Sequence, residues 1–283
     1  MTGWTTLVSV DALAARMGDA GLRIFDCRFA LADPAAGEAA WRMAHIPGAR
    51  YAHLDRDLSG PHVPGVGRHP WPSAEAFAAW LGREGVTPAT QVVAYDAGDG
   101  AFAARLWWLL RSFGHDRVAV LDGGFAAWVA AGLPVDADTL DVAAAPPHPG
   151  RFATERLLDA PAVAARVAAG DLLVDARGAE RFRGEVEPID RVAGHVPGAR
   201  NRPYPANLRD GRFKPAGELA AEFAALLEGR EASSVVAMCG SGVTACHHLL
   251  AMAHAGLPGA QLFAGSWSGW IEDAQRAVAI GQD

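Results

Sequence analysis

The residue in this chain best placed to act as a nucleophile is Cys239. It closes the apolar run Val235-Val236-Ala237-Met238 and opens the turn Gly240-Ser241-Gly242-Val243-Thr244. Ala245-Cys246-His247-His248-Leu249-Leu250-Ala251-Met252 follows with helical character. β-Branched residues in a short apolar run predict a buried strand. The cysteine therefore sits on a tight loop between a strand tip and a helix N-terminus. Backbone N–H groups of such a loop, together with the helix dipole, favour negative charge on sulfur. The thiolate is the reactive form, and a free thiol, with a pKa near 8.5, supplies only a small fraction of it at neutral pH. Thr244 can offer its hydroxyl or cap the helix, and Gly240 and Gly242 allow unusual dihedrals and close approach. A cysteine that merely packs is the simpler reading, and it suits Cys27 and Cys246. The glycines flanking Ser241 argue against it for Cys239.

The elements that hold this loop occur twice. Leu22-Arg23-Ile24-Phe25-Asp26-Cys27-Arg28 and Leu172-Leu173-Val174-Asp175-Ala176-Arg177 both read as strands ending in Asp-x-Arg. His45-Ile46-Pro47-Gly48-Ala49-Arg50 is matched by His195-Val196-Pro197-Gly198-Ala199-Arg200. Val92-Val93-Ala94-Tyr95-Asp96 is matched by Val235 to Cys239, and Gly123-Gly124-Phe125-Ala126-Ala127-Trp128 by Gly265-Ser266-Trp267-Ser268-Gly269-Trp270. The offsets are 149, 150, 143 and 142 residues, so one domain has been duplicated in tandem. We expect a first domain over 1–142, a linker rich in proline and small residues over 143–150, and a second domain over 151–283. Helical spacing at 74–83, 101–113 and 215–229 alternates with short apolar runs. This predicts an α/β class in which each half is a mostly parallel sheet flanked by helices. In the first half Asp96 takes the place of Cys239.

Composition narrows the function. The 283 residues carry a net charge of −7, with 51% hydrophobic and 20% charged residues. That is a globular balance without the basic footprint of a nucleic-acid binder. No apolar stretch is long enough to span a membrane, and the first six residues lack a secretion signal, so a cytoplasmic location is expected. Three scattered cysteines make no disulfide framework. Cys246, His247 and His248 lack the spacing of a metal set.

The loop Cys239-Gly240-Ser241-Gly242-Val243-Thr244 resembles the active-site loop of the rhodanese superfamily of sulfurtransferases. Its uncharged wording is similar to the mercaptopyruvate branch, whereas thiosulfate enzymes carry basic residues after the cysteine. The tandem order, with the loop cysteine only in the C-terminal half, fits the same family over nearly the whole chain. The resemblance implies two rhodanese-like domains and no metal or organic cofactor. It also implies transfer of sulfur from 3-mercaptopyruvate to a thiol, thioredoxin or cyanide through a Cys239 persulfide, with release of pyruvate. In Arg181-Phe182-Arg183-Gly184-Glu185-Val186-Glu187-Pro188 it makes Arg181 the carboxylate-binding arginine, a role suited to a guanidinium fork. A second arginine is expected just after Glu187-Pro188. Here Ile189-Asp190 intervene, and Arg191 is the candidate. Ser241 should join a histidine and an aspartate, for which His69 and Asp55 fit by position, with His53 and His62 as rivals. The loop residues Gly240, Gly242, Val243 and Thr244 would cradle the persulfide. The alternatives are a thiosulfate:cyanide sulfurtransferase and a non-catalytic rhodanese-fold binding module. The intact cysteine loop counts against the second. A phosphatase is disfavoured, because Thr244-Ala245 offers no arginine at the end of the loop.

Overall fold

The computed structural model describes residues 3–139 and 141–282. Met1, Thr2, Leu140 and Asp283, on which parts of the expected domain spans fall, lie outside the described residues. The chain forms two compact units. One comprises Met1–Gly60, Pro72–Ala153 and Asp210–Phe213; the other comprises Pro61–Trp71, Thr154–Arg209 and Lys214–Asp283.

The first unit contains β1 (Leu7–Val8), α1 (Val10–Ala14), β2 (Leu22–Asp26), α2 (Ala36–Met43), β3 (Arg50–Tyr51), α3 (Ala74–Arg83), β4 (Gln91–Tyr95), α4 (Ala103–Ser112), β5 (Val118–Leu121) and α5 (Gly124–Ala130). Its sheet has the order β1-β5-β4-β2-β3, and every pair is parallel. The second half adds β6 (Leu157–Leu158), α6 (Ala160–Ala168), β7 (Leu172–Asp175), α7 (Ala179–Phe182), β8 (Arg200–Asn201), β9 (Leu208–Arg209), β10 (Arg212–Phe213), α8 (Ala216–Leu227), β11 (Val235–Met238), α9 (Ala245–His254), β12 (Gln261–Phe263) and α10 (Ser266–Trp270). The second unit's sheet has the order β6-β12-β11-β7-β8, again parallel throughout. Strand for strand this repeats the first.

Each central strand is apolar because it is covered on both faces. All five residues of β4 and all four of β11 are buried. Val93, Leu121 and Trp128 form part of one core, and Val236, Phe263, Trp267 and Trp270 part of the other. Trp128, Trp267 and Trp270 of the paired motifs are thus packing residues.

The paired motifs turn out to be structural. Arg28 forks onto Asp26 through Nε and Nη2 and donates from Nη2 to the Ala44 carbonyl at 2.6 Å. Arg177 does the same with Asp175 and the Gly194 carbonyl. Each arginine ties the strand end to the chain entering the His-x-Pro-Gly turn. His45 and His195 then bridge to Asp136 and Ala279 through their backbones.

The units differ from the contiguous division expected in three places, one of them the short segment Asp210–Phe213, which belongs with the first unit. The proline-rich stretch is packed, not free, because Ala145, His148 and Ala153 donate backbone bonds to Gly82, Ala78 and Ser112. The first unit therefore runs on to Ala153. Residues 61–71 belong with the second unit, held there by bonds described below.

Candidate active site

Cys239 directly follows β11 at the C-terminal edge of the sheet, where ligands of open parallel α/β sheets bind. Its backbone is clamped on both sides. The Cys239 N–H donates to Ser266 Oγ at 3.0 Å, and the Cys239 carbonyl accepts from Trp267 N–H at 3.0 Å. The Gly240 carbonyl accepts from Ser268 N–H at 2.9 Å. Ser266 is a residue the sequence did not single out. It holds a left-handed φ of 49°, unusual for a side chain, and its hydroxyl also donates to the Phe263 carbonyl at 2.9 Å.

The loop glycines differ in purpose. Gly242 has φ +74°, and a Cβ there would lie 2.4 Å from the Ala264 carbonyl oxygen, so only glycine fits. Gly240 does not occupy that region. A Cβ on it would stand 3.3 Å from Arg68 Nη2 and 3.6 Å from Arg181 Nη1 and Nη2. Its missing side chain makes room for guanidinium groups. Val243 is buried, and Thr244 stands at the N-cap of α9 without making a side-chain cap bond. The capping role considered for Thr244 is therefore unused. The neighbouring Cys246 is buried, with its thiol on the Gly242 carbonyl at 3.3 Å.

Ser241 Oγ lies 2.7 Å from His69 Nδ1, and both residues are buried. The rival histidines are engaged elsewhere. His53 Nδ1 accepts the backbone N–H groups of Asp55 and Arg56, and His62 Nδ1 faces the Gly67 carbonyl. Asp55 is an exposed residue of the turn at 54–57 in the first unit. The strap carrying His69 is fastened within the second unit. Glu272 accepts the Gly65 and Gly67 N–H groups, and Ser268 Oγ accepts the Arg68 N–H at 3.0 Å.

The cationic side of the site is a small network. Arg181 donates from Nε and Nη2 to Glu187 and from Nη2 to Asp190 Oδ2 at 3.1 Å. Arg68 Nη1 bonds the other oxygen of Asp190. Arg177, already forked onto Asp175, also reaches Glu187 at 3.5 Å. Burial raises the Glu187 carboxyl, but the Arg181 guanidinium and the N–H groups of Asp190 and Ile189 outweigh it and hold the group ionised, below its ordinary value. Arg191, the sequence candidate for a second carboxylate contact, is exposed and gives its Nη2 to the Ile271 carbonyl. Arg68 was missed. Its only sequence signal is adjacency to His69.

Duplicated parallel sheets with a cysteine loop at the tip of one central strand define a tandem α/β architecture, and the chain belongs to the rhodanese family. The Rhodanese-like domain model matches residues 9–131 and 159–273. The chain is 50% identical to the Pseudomonas aeruginosa protein named "Probable 3-mercaptopyruvate sulfurtransferase", over 97% of this chain and 98% of that one. It is 40% identical to SseB of Mycobacterium tuberculosis, which carries a thiosulfate sulfurtransferase name, over 91% and 90%. The crystal structure of SseA from Escherichia coli, a 3-mercaptopyruvate enzyme, superposes with a TM-score of 0.78 at 33% identity, covering 94% of this chain and all of that one. Among the described residues no helix is long and apolar enough to cross a membrane, and no cluster of three or more His, Cys, Asp or Glu could hold a metal.

Proposed function

We propose that this chain is a 3-mercaptopyruvate sulfurtransferase working through a persulfide on Cys239. The observation that carries this reading is the 2.7 Å contact between Ser241 and His69, two residues from the nucleophile in a loop without cations of its own. The two candidate donors leave different groups behind. Thiosulfate expels sulfite, which is stable as an anion. Mercaptopyruvate expels the enolate of pyruvate, which must take up a proton. A serine hydroxyl coupled to an imidazole supplies that proton and has no task in the thiosulfate reaction.

The step balances simply. The Cys239 thiolate attacks the donor sulfur, a new S–S bond forms and the donor C–S bond breaks. The sulfur is oxidised to the sulfane level, and its electron pair leaves on the carbon fragment as enolate. The Ser241–His69 pair delivers one proton, and pyruvate departs. An acceptor thiolate, on a small thiol or a thioredoxin-like protein, or cyanide, then attacks the outer sulfur and restores Cys239. Arg181 holds the donor carboxylate. The loop at Gly240, Gly242, Val243 and Thr244 and the N-terminus of α9 favour negative charge at the sulfur. Three free cysteines, with no disulfide, suit a reducing cytoplasm.

A thiosulfate reading is kept open by the name of the SseB relative. Parallel initial-rate assays with the two donors separate them. We expect a preference for mercaptopyruvate of at least about tenfold in kcat/KM, roughly 1.4 kcal/mol of differential transition-state binding. Equal or reversed rates would transfer the assignment to the thiosulfate activity.

A further inference from the structure

We propose that Ile280 is a positioning residue for the sulfur donor. It caps the neck of an Ω-loop over 184–194 whose inward carboxylates hold Arg181 in place. The inference rests on the donor assignment above, in which Arg181 takes the donor carboxylate. It adds a residue from the segment after α10, which acts on the site through that loop.

The loop stands where the first unit has a helix. There α2 runs up to the His-x-Pro-Gly turn, whereas α7 ends at Phe182 and the chain forms neither helix nor strand from 183 to 194. No apolar side chain between 185 and 191 is buried; Val186 and Ile189 face water. The loop is held from inside by polar groups instead. The Glu187 and Asp190 carboxylates are buried and both accept from Arg181, and Glu187 Oε1 also accepts the N–H groups of Ile189 and Asp190. The ends of the loop meet. Gly184 and Gly194 have φ of +76° and +118°. A Cβ on Gly184 would stand 3.2 Å from Gly194 N, and one on Gly194 would lie 2.4 Å from the Ala279 carbonyl oxygen, so the closure needs glycine on both sides. A compact loop with touching ends is an Ω-loop, a form that is frequently functional. Ile280 lies over both glycines, its Cγ2 at 2.9 and 3.2 Å from the two Cβ positions. Its neighbours fasten one leg each. Ala279 exchanges backbone bonds with His195 at 2.8 and 3.0 Å, and the Gly281 N–H donates to the Arg183 carbonyl at 3.0 Å. The first unit keeps half of this arrangement. Asp136 exchanges backbone bonds with His45, but two residues on, where the second unit has Gly281, Asp138 turns its N–H to Asp136 Oδ1 at 2.9 Å. The bridge to the histidine therefore belongs to the shared fold, and the second fastening goes with the loop that carries Glu187 and Asp190.

The structural alternative is that Ile280 only adds to the stability of the fold. It is 70% exposed, so its side chain buries little area and contributes little globally. Positioning and folding can therefore be separated. The test compares Ile280→Ala, which removes the touching methyl group, with Ile280→Val, which keeps both branches at Cβ. Four quantities are measured: hydrogen exchange of peptides from 184–194, kcat and KM with mercaptopyruvate, loading of Cys239 by inorganic polysulfide, which has no carboxylate, and Tm. For Ile280→Ala we expect loop exchange to quicken by about tenfold while peptides from α9 keep their rates. KM for mercaptopyruvate should rise roughly three- to tenfold with kcat within about twofold, the mark of weakened donor holding. Polysulfide loading should stay within about twofold of wild type and Tm within about 2 °C. Ile280→Val should match wild type throughout. Unchanged loop exchange or unchanged KM in Ile280→Ala overturns the proposal. So does an equal loss with polysulfide, or an equal loss in Ile280→Val. If wild-type protein releases no pyruvate from mercaptopyruvate, a result distinct from each of these, the donor assignment falls and takes the proposal with it.

Discussion

The loops after β4 and β11 leave equivalent central strands and are clamped alike. Phe125 and Ala126 donate to the carbonyls of Asp96 and Ala97, as Trp267 and Ser268 donate to those of Cys239 and Gly240. Their contents differ. In the first unit the Asp96 carboxylate turns into its own loop and accepts the N–H groups of Gly98, Gly100, Phe102 and Ala103 at 2.9–3.1 Å. The loop is a cradle for an anion, and a side chain of the protein fills it. In the second unit Cys239 occupies the equivalent position with a shorter side chain. The loop after β4 is thus closed by a carboxylate of its own, whereas the loop after β11 carries the cysteine at the equivalent place. Cys27 makes the same point from another side. Burial, with Asp26, Asp96 and Asp57 nearby, pushes its thiol well above the ordinary range. A strand-end cysteine outside the cradle stays neutral and inert.

The sharpest way to break the comparison is to remove the open copy's sulfur. Cys239→Ser should reduce turnover with every donor to the buffer blank, because Asp96 cannot carry sulfur. Residual transfer above blank, measured as pyruvate release and as thiocyanate from cyanide, would show that the second unit is not the sole carrier. Next in size is the Ser241–His69 pair, proposed above to deliver the proton; it has no counterpart in the first loop, where Gly98 stands at the place of Ser241. His69→Gln should lower kcat with mercaptopyruvate by about a hundredfold, the ordinary contribution of general acid–base catalysis. Thiosulfate turnover should fall much less. A parallel loss with both donors would reduce His69 to a loop anchor.

The closed copy is tested through stability. Asp96→Ala leaves buried N–H groups without acceptors, and each such group costs about 1–3 kcal/mol, less where water enters. We expect a total near 3 kcal/mol, seen as a fall in Tm of roughly 6–12 °C, with kcat largely retained in the molecules that stay folded. The same carboxyl has a pH signature. Burial, and secondarily Asp99, pushes it up to about 6 against the pull of its N–H donors. An unfolded aspartate titrates near 3.9. The folded chain therefore binds this proton first as pH falls. Its contribution to stability is complete below about pH 4 and is lost as pH rises through 6. Relative to Asp96→Asn, wild-type protein should gain about 2 kcal/mol in urea unfolding between pH 7.5 and 4. Buried His115, lowered to about 4 mainly by burial, works in the opposite direction over pH 6.5 to 4 and is common to both proteins, so it cancels in the difference.

The duplication and the cysteine loop were legible because they rest on local, repeated chemistry. Asp-x-Arg and His-x-Pro-Gly recur since each copy needs the same arginine to lock its turn, and Val92-Val93 and Val235-Val236 announce strands buried on both faces. Helix positions followed from spacing, with 74–83 matched at both ends. What stayed hidden depends on long-range contacts. Arg68 meets Asp190 across 122 residues, and an arginine in a glycine- and proline-rich loop has no periodicity to mark it. The membership of residues 61–71 in the second unit is equally invisible to a contiguous division of the chain. Asp96 could be read as a missing cysteine, but not as a carboxylate serving in place of a bound anion.

Ser266 offers the finest adjustment of the comparison. At the matching position the first unit has Gly124, whose φ is +55°, where a Cβ would lie 2.6 Å from the Asp96 carbonyl oxygen. The second unit keeps the left-handed backbone yet carries a serine, at a conformational cost of about 1 kcal/mol relative to glycine. Its two hydrogen bonds, from the Cys239 N–H and to the Phe263 carbonyl, offset that cost. Ser266→Gly makes the second copy resemble the first. The relief of backbone strain and the loss of two bonds worth about 1 kcal/mol each should leave Tm within a few degrees of wild type. Activity should respond differently. With the Cys239 N–H unheld, the strand tip gains freedom at the reacting atom, and kcat should fall about three- to tenfold, since small misplacements of a nucleophile are costly in rate. Ser266→Ala, which keeps the strain and loses the bonds, should lose both stability and rate. If Ser266→Gly lowered Tm as much as Ser266→Ala while leaving kcat untouched, Ser266 would be a structural residue only, and the clamp on Cys239 would rest on Trp267 and Ser268.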